Sequence, residues 1–138
     1  MKGLARHLGA ALLCATLAAC HDEGRRQFQL PASDRAAAVA EVQRIAGEHA
    51  MTACGPRVNA PGALDCYWFG GGAGMTGVLV REVDARIVVD VGFNTAVVTH
   101  GAFDSLVDGL RTGLTRACGG ADVTEPAPDQ QIPAPRFI

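Results

Sequence analysis

Several groups of residues in this 138-residue chain have types and spacings that bear on chemistry. GAGMTG at 72–77 satisfies G-x-G-x-x-G, the pattern of loops that cradle a dinucleotide pyrophosphate. That chemistry needs a strand before the glycines and, after them, a helix whose N-terminal N–H groups meet the phosphate. Strand-like CYWF precedes the glycines, but VLVREV follows with a strand pattern of its own, so no helix dipole is aimed at a phosphate and no nucleotide is expected. His100, Asp104 and Ser105 are the residue types of a hydrolytic triad, yet an Asp and a Ser at a helix start are more simply read as capping residues. Cys54, Cys66 and Cys118 with His49 and His100 include no C-x-x-C or H-x-x-x-H spacing, so no metal is expected. No pair of carboxylates stands apart from the solvated charges as glycosidase chemistry would require. The expectation is a protein without catalytic residues or cofactor.

The N-terminus is more specific. Lys2 and Arg6 precede an uncharged apolar run over 8–19, the layout of a secretory signal and shorter than the ~20 residues of a membrane span. The run ends in Leu17-Ala18-Ala19-Cys20, which resembles the lipobox of bacterial lipoproteins. The resemblance covers residues 1–20 and implies cleavage before Cys20, with acyl chains on Cys20 holding the mature chain on a membrane. Two or three chains anchor stably where one is marginal. In that family an Asp after the lipidated Cys signals inner-membrane retention; His21 stands there. The resemblance therefore implies the outer membrane, periplasmic face. That compartment also argues against a dinucleotide cofactor.

Without residues 1–19 the chain keeps ten arginines, no lysine and all fourteen acidic residues, a formal charge of −4. An acidic chain with one Trp and one Tyr lacks the footprint of nucleic-acid binding. Residues 20–32, including Arg25 and Arg26, show neither apolar period nor turn pattern and are expected to be a flexible tether. A single domain is expected over 33–120. Residues 121–138, with four prolines and few apolar groups, are expected to be a disordered tail.

Within the domain, Ser33 and Asp34 are candidate N-caps of a helix reaching about Ala53, with a stripe of Val39, Val42, Ala46, Ala50 and Ala53 and a shoulder of Ile45 and His49. Gly55-Pro56 stops it, and the loop GPRVNAPG leads to a strand over 64–69. A two-residue turn at Asp84-Ala85 pairs Val83 with Arg86, Val80 with Val89 and Val78 with Val91. One face then carries Val78, Val80, Ile87, Val89 and Val91. The other carries Leu79, Arg81, Val83, Val88 and Asp90, a mixture suited to partial exposure. A fourth strand or a continuation is expected over 95–99. The second helix buries Phe103, Leu106, Val107, Leu110, Leu114 and Cys118 and ends at Gly119-Gly120. Its Gly109 and Gly113 suggest close approach of a neighbouring backbone.

Cys54, Cys66 and Cys118 remain once Cys14 leaves with the signal and Cys20 is lipidated, and an oxidising compartment allows one bridge. Cys54–Cys66 is the preferred pairing because it staples helix to strand across an irregular loop; a bridge from Cys118 to either partner is the rival. The expected fold is α+β, a small two-layer domain of helix, three to four antiparallel strands and helix, with both helices on one sheet face. The open face (Leu79, Arg81, Val88, Asp90) or the tract around Trp68 would bind a partner. Two roles compete: an assembly module binding an envelope protein, and an inhibitor or immunity-type lipoprotein that neutralises a secreted toxic or lytic enzyme. A weaker third is binding of a small apolar ligand between sheet and helices.

Overall fold

The computed structural model describes residues 22–55, 60–71, 74–95 and 101–135. The lipobox, His21 and His100 lie outside them, as do residues 56–59 of GPRVNAPG and the continuation expected over 96–99. The fold is α+β: five antiparallel strands with two helices packed together against one face. The strands are β1 (Asp22–Pro31), β2 (Thr52–Ala53), β3 (Ala63–Gly71), β4 (Gly74–Val83) and β5 (Arg86–Thr95), in spatial order β1-β5-β4-β3-β2. The helices are α1 (Arg35–Glu48) and α2 (Gly101–Cys118).

The β4–β5 hairpin forms as the alternation requires. Val83 pairs with Arg86, Val80 with Val89 and Val78 with Val91. Asp84 and Ala85 both take positive φ, 48° and 61°, the backbone of a two-residue turn whose twist matches the strands. Val78, Val80, Ile87, Val89 and Val91 are buried, and α2 covers them with Phe103, Leu106, Val107, Leu110 and Leu114. Residues 72–73 of GAGMTG lie outside the described residues; the rest of it opens β4, where Gly70 pairs with Met75 and Gly71 with Gly74. A strand follows these glycines, not the helix a pyrophosphate would need.

The segment expected to be a tether is instead β1, an edge strand paired with β5 from Asp22↔Thr95 to Pro31↔Arg86. Its alternation places Phe28 and Leu30 in the core beside Val89 and Ile87. Two large apolar residues are too few to register as a strand pattern, and Gln27 and Gln29 between them read as solvent-facing. At Gly24 the ring of Phe93 occupies the space a side chain would fill, with a Cβ there lying 2.0 Å from it. Phe93 then meets Phe103 of α2 with centroids 4.5 Å apart, an edge-tilted aromatic pair.

Helix α1 is shorter than expected. Asp34 occupies its N-cap position without a side-chain capping bond. At the other end Ala50 turns to φ 53°, while Met51 N–H donates to Ala46 O and Ala50 N–H to Gly47 O. These bonds are the Schellman closure, here with Ala where Gly is usual, which is why the stop was not legible. The buried face is Ala38, Val42, Ile45 and Ala46. Ala50 is exposed and Ala53 sits in β2. The α2 glycines receive α1: a Cβ at Gly109 would touch Ile45 and His49, and one at Gly113 would lie 2.8 Å from Ile45 Cδ1. The close neighbour is therefore a set of side chains rather than a backbone.

The preferred disulfide is present. Cys54 and Cys66 face each other beyond the Ala53↔Tyr67 pair, Cα atoms 5.3 Å apart, and Cys54 N–H donates to Cys66 O. The bridge spans 12 residues and fastens the two-residue strand β2 to β3. Replacing both cysteines by Ala is expected to lower unfolding free energy by about 3 kcal/mol, the loop-closure value for this span. Chemical denaturation reads it, and an unchanged midpoint would remove the staple from the account.

Candidate functional site

Strand alternation sends Gln27 and Gln29 of β1, Val88 and Asp90 of β5, Leu79 and Arg81 of β4 and Trp68 of β3 to the sheet face away from the helices. The register aligns Gln27, Asp90 and Leu79 in one row and Gln29, Val88 and Arg81 in the next. Leu79, Val88 and Asp90 have no exposed surface and Arg81 keeps 5%. The expectation that this face is partly open is therefore corrected for those four residues, and Trp68 is half-buried.

The C-terminal segment accounts for the difference. The expected disordered tail leaves α2 through Gly119, at φ 77°, and pairs Thr124 with Gln29 along the free edge of β1 through N–H···O bonds of 2.8 and 3.0 Å. Arg111 of α2 holds Glu125 with two hydrogen bonds of 2.8 and 2.9 Å. The Arg111 guanidinium keeps the Glu125 carboxyl below the usual carboxylate range. The chain then crosses to the second face, where Ile132 N–H donates to Gln27 Oε1 at 2.9 Å and Ile132 O accepts from Gln27 Nε2 at 2.8 Å. Arg25, expected in the tether, donates to Ala134 O, and Arg26 lies 3.7 Å from Glu125. Residues 119–135 thus form a strap around the β1 edge.

Beneath the strap runs a continuous polar chain. Arg81 Nε donates to Asp90 Oδ2 at 2.7 Å, and Gln27 Nε2 to Asp90 Oδ1 at 2.7 Å. Gln29 Nε2 donates to Gln27 Oε1, Arg86 donates to Gln29 Oε1, and Arg81 reaches Ile132 O at 3.2 Å. Each Asp90 oxygen accepts one hydrogen bond, and the Arg81 guanidinium supplies the counter-charge. Chemically this is a specifying network, one that fixes register and holds the strap.

The remaining candidates hold no poised group. Cys118 is the free thiol among the described residues, buried on α2 as expected, and burial first, then the charges of Asp34 and Glu41, pushes it up. A thiol so placed stays protonated at neutral pH and is a poor nucleophile. Tyr67 Oη donates to Asp65 Oδ2 at 2.6 Å, and burial with that bond pushes the phenol up to about 12. Asp104 and Ser105 are exposed on the first turn of α2, and Ser33 is exposed before α1. Among the described residues no three of His, Cys, Asp and Glu gather as a metal site, and no helix is long and apolar enough to cross a membrane. Of this polar chain the sequence placed Arg81 and Asp90 on one face and missed Gln27 and Gln29; the signal that could have found them is the pair of glutamines alternating with Phe28 and Leu30. No protein-family model matches the chain, and no curated protein matches it.

Proposed function

We propose that this protein is a lipoprotein of the bacterial outer membrane, periplasmic face, which binds a protein partner and carries out no reaction. The observation that carries the reading is Leu17-Ala18-Ala19-Cys20 at the end of an apolar run behind a basic start. The Cys54–Cys66 bridge supports it, because such bridges persist in oxidising compartments. With Leu79, Arg81, Val88 and Asp90 buried, partner contact moves to the β3 edge. There, among the described residues, β2 and Cys54 engage Cys66, Tyr67 and Trp68 of the nine β3 residues. A strand edge accepts an added strand through main-chain bonds, and half-buried Trp68 supplies apolar area beside it.

Growth with labelled palmitate should tag the wild type and not Cys20→Ser; label retained by the variant would falsify the anchor. Capture on the native membrane then tests the role. A stoichiometric outer-membrane or secretion complex supports the assembly module, whereas a stoichiometric secreted hydrolase would replace it with the inhibitor.

A further inference from the structure

We propose that one end of the sheet rests directly on the bilayer, with Met75 entering the headgroup layer; this rests on lipidation of Cys20. Only His21 separates Cys20 from Asp22, the first residue of β1. Two residues span at most about 7 Å, so the acylated residue and the first rung of the sheet are a single headgroup layer apart. A freely swivelling domain needs a longer connection, and here the chain enters a ten-residue strand at once.

The register identifies what shares that end. Asp22 pairs with Thr95, Thr95 with Gly74, and Gly74 with Gly71, so four strands finish on one rung. On the next rung Glu23 pairs with Asn94, Asn94 with Met75 and Met75 with Gly70. Met75, 40% exposed, is the one large apolar side chain left exposed among the described residues. Its position within a rung of the anchored end is what a lipid interface would select, since a flexible thioether adapts to an irregular apolar boundary. Gly70, Gly71 and Gly74 around it let the backbone approach the surface closely. The contact draws on acyl anchoring and on apolar burial of Met75. The Asp84-Ala85 turn then stands about 30 Å along the strands from the anchored end.

The test needs no substitution in the folded domain. Acylated protein in phosphatidylcholine vesicles and unacylated Cys20→Ser protein in solution are treated with chloramine-T, and sulfoxide at each methionine is read by mass spectrometry. Met75 is expected to oxidise several-fold more slowly in vesicles, while Met51, half-covered by the protein's own core, oxidises equally in both. Equal rates at Met75 in protein that carries the palmitate label would overturn the orientation and leave the lipoprotein reading intact. Absence of the label from wild type would sink the lipoprotein reading itself. Protection of Met75 in soluble Cys20→Ser that rises with protein concentration would assign the residue to a second copy of the chain and overturn the membrane contact.

Discussion

Phe28→Ala is expected to destabilise the domain by about 3–5 kcal/mol, the range for emptying a fully buried aromatic site. Phe28 has no exposed surface and packs beside Val89 in the core under the helices. The measurement is a urea midpoint at unchanged slope. The magnitude separates two accounts of the N-terminal segment, because a substitution in a solvated tether stays within about 0.5 kcal/mol. A loss near zero would return residues 22–31 to a tether and remove the basis for a fixed sheet end at the membrane.

Asp90→Ala is expected to cost a similar amount, about 3–5 kcal/mol, by a different route. Removing the carboxylate leaves the Arg81 guanidinium desolvated without its counter-charge and deprives Gln27 of an acceptor. The control is Asp90→Ala with Arg81→Met, which removes both charges. Buried pairs replaced together by apolar groups are commonly neutral, so the double variant should recover most of the loss. A single-variant loss under about 1 kcal/mol is the behaviour of an exposed pair and would show that the strap does not seal this face. Limited proteolysis gives a second reading, as cleavage within 119–135 should accelerate in the single variant.

These two residues also mark where the sequence was legible and where it was not. The β4–β5 hairpin and α2 were readable because each places an unbroken apolar set on the face that meets the core, at period 2 or 3.6. β1 was not, because Phe28 and Leu30 alone mark its core face and polar residues alternate with them. Gln27 and Gln29 lie under a strap, and buried polar residues look like solvent-facing ones in a sequence. The strap was opaque for a related reason. It is held through backbone groups of Ile132 and Thr124 and through Glu125, with little apolar area of its own, so composition reads it as disordered. Of the predicted surface, Leu79, Arg81, Val88 and Asp90 were correctly placed on one face, but the cover lies over 40 residues away in sequence and no local pattern announces it.

The strap also sets the order of events in biosynthesis. Gln27 waits for Ile132 across 105 residues, and Arg25 for Ala134 across 109. Until the strap has been made, the Arg81–Asp90 pair lacks its cover at Ile132 and the β1 edge has no partner at Gln29. Contacts of such long sequence separation close late and slow folding. The domain therefore closes only once residues 124–134 have been made, so that β1, first in chain order, gains its outer edge partner last.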